Sequence, residues 1–143
     1  MASITSANSV LFLGATGLFA VPQQIAGFSS DDMYSIEAVE TKEVQMGADG
    51  ILSSGWIPQI KTMSVTLQAD SASNLFFESL YAAEESAQES YSLFGTILQP
   101  AVSKLYTLTN GVLTNYTPLA EAKKVLGARK FQIKFQMVIG VPT

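Results

Sequence analysis

The sequence contains no cysteine and no histidine among its 143 residues. Without cysteine there are no disulfides, no thiolate nucleophile and no thiolate metal site. Histidine is the commonest general base and the commonest metal ligand, so its absence removes many hydrolase and metalloenzyme mechanisms. We therefore expect a protein that is not an enzyme, with no catalytic residue, no cofactor and no metal site.

Charge is scarce and unevenly distributed. Charged residues make up 14% of the chain, against about 25% in ordinary soluble domains, and this shortage predicts a surface that contacts other protein. Residues 1–89 hold eleven acids and two bases, whereas residues 90–143 hold one acid and six bases. Such asymmetry is typical of a solvated face, or of a subunit whose acidic and basic surfaces meet head to tail between identical copies.

Long apolar runs are missing as well. The most apolar stretch, residues 9–28, is interrupted by Gly14, Gly17 and Pro22, so we expect no membrane-spanning helix. No basic residue precedes the apolar residues 10–13, so we expect no secretory signal and a mature chain that begins near Met1. The length fits a single domain over residues 1–143.

Alternating apolar residues predict β-strands over most of the chain. In the last strand, Phe131, Ile133, Phe135, Met137 and Ile139 are predicted to face the core, and Lys130, Gln132, Lys134 and Gln136 to face away. Other strands are predicted over residues 10–13, 18–21, 33–40, 62–68 and 96–98. Between residues 105–109 and 112–117, Asn110-Gly111 favours a hairpin, although one long strand with a glycine bulge also fits. Residues 120–126 are predicted to form a short helix or a turn.

Two further elements complete the predicted fold, which is mainly β with one flanking α-helix. An extended arm over about residues 41–58 turns at Asp49-Gly50, a pair that favours the positive φ angles of a hairpin. The helix is predicted over about residues 72–89, with Asp70, Ser71 or Ser73 as cap. Its core-facing stripe consists of Phe76, Phe77, Leu80, Tyr81, Ala83 and Ala87.

Several motifs have simpler interpretations than a binding site. Gly14, Gly17 and Ala20 match part of a dinucleotide-binding turn, but Pro22 interrupts the helix that should follow. The acid pairs Asp31-Asp32 and Glu84-Glu85 are typical of solvated surfaces, and residues 47–50 lack the alternating oxygen ligands of a calcium loop. A net charge of −4 argues against tight nucleic-acid binding.

The order of elements resembles bacteriophage tail tube proteins. The resemblance is carried by residues 17–24 (GLFAVPQQ), 46–50 (MGADG), 95–98 (GTIL), 106–114 (YTLTNGVLT) and 130–135 (KFQIKF). It implies an antiparallel β-sandwich or barrel-like subunit, six copies of which form a ring. Stacked rings would form a hollow tube that conducts phage DNA, within a contractile sheath in the virion tail, and inward-facing strands of the six copies would join into one barrel.

The same resemblance implies particular contacts. The arm would reach a neighbouring subunit or ring through Met46, Gly47, Asp49, Gly50 and Trp56. Partners would be further copies of the chain, a tail sheath, a tape-measure protein and a tail initiator, while DNA would pass without specific binding. Because basic side chains in the bore would hinder DNA, we expect Lys130 and Lys134 to face a neighbour's acids or the sheath. The alternatives are a tube subunit of a tailocin or type VI-like injection system and a monomeric small-ligand β-barrel.

Overall fold

The protein is built on one seven-stranded antiparallel sheet. A computed structural model describes residues 9–28, 33–122 and 124–142. Its elements are β1 (Val10–Ala15), β2 (Phe19–Ile25), β3 (Tyr34–Ile36), β4 (Lys42–Met46), β5 (Leu52–Trp56), β6 (Lys61–Leu67), α1 (Asn74–Ala87), β7 (Leu93–Gln99), a 3₁₀ turn (Pro100–Val102), β8 (Lys104–Tyr116) and β9 (Arg129–Pro142). The strand order is β2-β1-β7-β8-β9-β6-β3, and β4 and β5 form a separate two-stranded arm.

The sheet is curled, because a very short stretch of chain joins its edge strand β2 to β6, the strand next to the opposite edge. Phe28 bridges to Leu67 in β6, and the Gln68 N–H donates to the Gly27 carbonyl at 2.8 Å. Ile25 ends β2, so the chain crosses from one edge towards the other in three residues, at most about 10 Å. The predicted fold class, an antiparallel barrel-like sheet with one flanking helix, is confirmed.

The core lies between the concave face of the sheet and α1. Two aromatic contacts fix the helix: the rings of Phe77 and Phe131 stack at 4.2 Å, and Phe76 lies 4.8 Å from Phe19. The buried apolar residues are Leu11, Leu13, Ala15, Ile25, Met63, Val65, Leu67, Phe76, Phe77, Leu80, Leu93, Ile97, Leu108, Phe131, Ile133 and Phe135.

At the start of α1, Ser71 Oγ, one of the three predicted caps, accepts the Ser73 N–H at 3.2 Å. Ser73 stands at the N-cap position but makes no side-chain cap bond. Its Oγ instead accepts the Ala26 N–H at 2.8 Å, and the Ser71 hydroxyl donates to the Ala26 carbonyl at 2.6 Å. The two serines therefore fasten the start of the helix to the chain leaving β2. The stripe is also shorter than predicted, since Ala87 is exposed.

The hairpin favoured at Asn110-Gly111 is wrong, and the long strand is correct. Residues 104–116 form one strand, β8, that pairs with β9 along nearly its whole length. Asn110 adopts a left-handed conformation with φ of 51°, and the β7–β8 register shifts between Leu93 and Gly95. An irregularity inside a strand thus absorbs the turn-prone pair.

The predicted core face of β9 is wrong beyond Phe135. Gln136 and Met137 are both exposed, so the alternation breaks, and Val138 is the next residue that packs on the core. Met137 and Ile139 are 46% and 47% exposed. The cause lies in β8: Phe135 pairs with Gly111 and Val138 with Leu108, and the left-handed Asn110 between those partners reverses which side of the strand faces inward.

Three smaller predictions are also corrected or clarified. The strand expected over residues 33–40 is reduced to β3, and residues 120–126 contain no helix in their described part. The glycine motif at residues 14–17 runs from the end of β1 into the tight turn that leads to the antiparallel strand β2, with no helix after it. Pro22 lies in the edge strand β2, where its missing N–H costs no ladder bond with a further strand.

Candidate functional site

The arm is a regular hairpin with a well-defined turn. The Gly47 N–H donates to the Ile51 carbonyl and the Gly50 N–H to the Gly47 carbonyl, both at 2.9 Å. Asp49 Oδ1 accepts the Ile51 N–H at 3.1 Å, and Gly50 has φ of 85°, which favours glycine. The tip of the arm is therefore held in one shape by its own sequence.

The two faces of the arm differ in polarity. Lys42 pairs with Trp56, Val44 with Ser54, and Met46 with Leu52, and directly paired residues that alternate along a strand share a face. We call the face bearing Val44, Met46, Leu52 and Trp56 the apolar arm face. The opposite face carries Glu43, Gln45, Ser53 and Gly55.

The apolar arm face is uncovered in the single chain. Every residue from 40 to 56 is exposed, and Trp56 is 72% exposed. An isolated two-stranded hairpin is marginally stable in water, and solvent-exposed tryptophan and methionine side chains on one face are typical of a contact surface. The arm is thus a candidate docking element.

A groove lies where the arm joins the body. This arm-base groove, of about 550 Å³, is lined by Trp56, Ile60, Lys61, Val112, Lys134 and Met137 among others. Lys61 Nζ donates to the carbonyls of Gln59 at 2.9 Å and Gln136 at 3.1 Å, which ties the arm base to β9. Its lining includes two lysines and no acid.

Lys130 and Lys134 project from the face of β9 opposite the core. They pair across the ladder with Thr66 and Thr62 of β6. Both are exposed, and within the described ranges neither forms an ion pair. Strands β1, β6, β7, β8 and β9 contain no Asp or Glu at all, so a carboxylate partner for these lysines has to come from outside the sheet.

The second half of β9 has an open edge. In the described part of the chain, β6 pairs with residues 129–135, whereas β8 continues to Pro142. Residues 136–142 (QMVIGVP) carry no charge, and Met137, Ile139 and Val141 are exposed. A long, uncharged, apolar edge is a template for pairing with another strand.

An acidic groove runs along the end of α1. It is lined by Glu84, Glu85 and Glu89, together with Tyr81 and Tyr116, whose rings stack at 4.4 Å. Tyr81, predicted as a core residue, is 42% exposed. Burial raises the pKa of the Glu84 carboxyl above its usual range. The other acid pair, Asp31-Asp32, lies outside the described residues.

A cluster of hydrogen bonds around Arg129 was not predicted from the sequence. Arg129 is 5% exposed, and its Nη1 donates to Glu78 Oε1 at 2.6 Å. Its Nε and Nη2 donate to the Thr117 carbonyl at 3.1 and 2.8 Å. Nη2 also donates to the Tyr116 hydroxyl at 3.2 Å. Arg129 therefore fastens the helix, β9 and the chain after β8 together, over sequence separations that no local pattern reveals.

Other kinds of site find no support in the described residues. No group of three or more Asp or Glu side chains there is placed to hold a metal ion. The described helix is also neither long nor apolar enough to cross a membrane.

The fold is one found in components of contractile injection systems. A chain in the extended-state sheath/tube terminator of the PVC extracellular contractile injection system matches with a TM-score of 0.66 and 11% identity, over 99% of this chain and 98% of that one. A chain in the 6-fold symmetrised baseplate of the anti-feeding prophage matches with a TM-score of 0.63 and 10% identity, over 99% and 97%. A chain in the extended PVC sheath-tube complex matches with a TM-score of 0.61 and 11% identity, over 99% and 93%.

The family model described as tail fiber protein gp32 matches residues 2–139, so the chain belongs to that family. No protein with a curated description matches. The predicted likeness to a tail tube protein is confirmed at the level of the fold, which the chain shares with these chains of contractile injection systems.

Proposed function

We propose that this chain is the tube subunit of a phage tail: six copies form a ring, and stacked rings form the hollow tube that conducts DNA during ejection. Its role is structural, with no catalytic step, in a virion tail assembled beside sheath, tape-measure and initiator proteins. The observation that carries the proposal is the open, uncharged edge of β9 over residues 136–142.

That edge matches a second edge at the other end of the sheet. Strand β2, residues 19–25, is the terminal strand of the sheet order and carries no charge. Pairing β2 of one copy with the open half of β9 in the next would cover both edges. The two edges are different surfaces, so the contact is head to tail and can close into a ring.

The chemistry of one sheet face supports passage of DNA. Phe12, Thr96, Thr107 and Ile139 form a continuous row across β1, β7, β8 and β9, without a charged member. A surface of this kind offers phosphates no cation to bind. We propose that this row faces the bore and that Lys130 and Lys134 face protein; a tube structure with both lysines in the bore would overturn that arrangement.

Electron microscopy of the purified protein over a range of concentrations tests the tube. We expect six-fold rings or hollow tubes, and we expect Ile139→Asp to abolish them because a charge is placed on the pairing edge. Val125→Asp, at an exposed valine in the loop before β9, is the matched control and should assemble normally. A sample that stays monomeric at every concentration, or one that forms solid fibres without a bore, would refute the proposal that the chain is a tube subunit.

A related injection-system tube is the second candidate, since the matched folds come from such particles. Gene neighbours distinguish the two: capsid and portal genes beside this gene support a phage tail, and their absence supports a tailocin.

A further inference from the structure

We infer that the arm tip of one copy, with Met46 and Leu52 of the apolar arm face, docks in the arm-base groove of another copy, with Asp49 placed towards Lys134. This inference rests on the proposed tube, and it names the surface that receives the arm. It treats the arm and the groove as the two halves of one contact.

The two surfaces match in apolar character. The tip of the arm presents Met46 and Leu52 side by side, and both are more than half exposed. The groove presents Ile60, Val112 and Met137, which are exposed as well. Bringing these side chains together removes apolar surface from water on both copies, which is the main driving force for such contacts.

The two surfaces also match in charge. The arm has two acids, Glu43 and Asp49, and one base, Lys42, which lies in the pair at the base of the arm, so the tip carries only the charge of Asp49. The groove has Lys61 and Lys134 and no acid. Lys61 is already bonded to two carbonyls, whereas Lys134 forms no ion pair with any other described residue, so Lys134 is the groove cation that an incoming Asp49 can meet. Complementary charge at the rim of an apolar contact fixes orientation more than affinity.

The arm that fills the groove has to come from another copy. The Ile57 N–H donates to the Thr41 carbonyl at 2.9 Å, which closes the base of the arm beside its own groove. The Met46–Leu52 pair lies five strand positions further out, about 17 Å away. Trp56 belongs to one wall of the groove, so the arm would have to fold back on itself to fill it. Because the arm tip, with Met46 and Leu52, is separate from the groove, each copy can give one arm and receive one.

The absence of cysteine allows a direct test by cross-linking. Met46→Cys protein is mixed with Val112→Cys protein under assembly conditions and treated with a short bismaleimide. Gln45→Cys mixed with Val112→Cys is the matched control, because Gln45 is adjacent to Met46 but lies on the polar face of the arm. We expect at least about tenfold more cross-linked heterodimer from the first mixture, since neighbouring strand residues face opposite sides. Equal yields, or no cross-link in assembled material, would overturn the inference.

Charge reversal gives a second readout. We expect Lys134→Glu to leave rings intact but to reduce stacking at least about tenfold in sedimentation, and Asp49→Lys in the same chain to restore it. Lys124→Glu, an exposed lysine outside the groove, should stack normally. Normal tubes from Lys134→Glu would overturn the inference while leaving the proposed function standing. Failure of the unmodified protein to form rings would instead count against the proposed function.

Discussion

Arg129 joins three parts of the fold, so we predict that weakening its contacts destabilises the single chain measurably. Two substitutions separate its charge from its shape. Glu78→Gln keeps the hydrogen-bond geometry but removes the carboxylate charge, and Arg129→Lys keeps the positive charge but removes the planar fork. The fork is what reaches Glu78 on the helix and Thr117 beyond β8 at the same time.

The expected magnitudes follow from the contacts. A hydrogen bond to a charged group contributes about 1.5–3 kcal/mol and a neutral one about 0.5–1.5 kcal/mol, so Glu78→Gln should cost about 1 kcal/mol. The side chain of Arg129 is only 6% exposed, and this burial raises the cost of removing its partner's charge. The side chain of Glu78 is 46% exposed, so water screens the ion pair and keeps the total cost of Glu78→Gln near 2 kcal/mol or below. Arg129→Lys loses the bonds to the Thr117 carbonyl and the Tyr116 hydroxyl, and it should cost about 2–3 kcal/mol.

Urea unfolding, followed by circular dichroism at a concentration where the protein is monomeric, measures these differences. Glu85→Gln is the matched control, because Glu85 is an exposed glutamate on the same helix, and it should change stability by no more than about 0.5 kcal/mol. If both substitutions in the cluster fell within the range of this control, the idea that Arg129 fastens the helix to the sheet would be refuted.

Three further predictions concern the acidic groove, the strand face and the arm. Glu84→Gln should stabilise the protein at neutral pH by roughly 0.3–1 kcal/mol, because it removes a partly buried charge at the negative end of a helix. The folded-state pKa of Glu84 is raised, so the free-energy cost of its buried charge is absent at low pH and appears as the pH rises through that pKa. The denaturant midpoints of the two proteins should therefore converge in acid. A difference between the midpoints that stays constant across pH would contradict this cause. Val138→Asp should lower the free energy of unfolding by at least about 2 kcal/mol, because Val138 packs on the core. Ile139→Asp should stay within about 0.5 kcal/mol of the parent monomer in the same assay. The reverse order would contradict the observed face of β9. Replacing residues 43–55 by Asn-Gly between Lys42 and Trp56 should leave the melting temperature of the monomer unchanged but prevent stacking in sedimentation, and a large drop in melting temperature would show that the arm supports the body.

The candidate surfaces were only partly predictable from the sequence. The arm and its turn follow from local patterns, because a hairpin with a short turn is specified by adjacent residues, whereas the contact role of Met46, Gly47, Asp49, Gly50 and Trp56 is implied only by the resemblance and stays a prediction. The groove that lies beside the arm was not predicted, because Val112 and Met137 reach it from strands far along the chain. The open pairing edge of β9 did have a signal in the sequence: residues 136–142 are uncharged, and they therefore lack the charge that usually protects a strand edge.

Elements with local causes can be predicted from the amino-acid sequence alone. Alternating side chains specify most strands, a periodic apolar stripe specifies α1, and Asp49-Gly50 specifies the turn of the arm, since each depends on a few neighbouring residues. Tertiary structure decided how those elements meet: the bridge from Phe28 to Leu67 that curls the sheet, and the contact of Arg129 with Glu78 across 51 residues. It also decided that Val138, rather than Met137, faces the core. These outcomes depend on the register between strands, which is a property of paired segments and is not written in either segment alone.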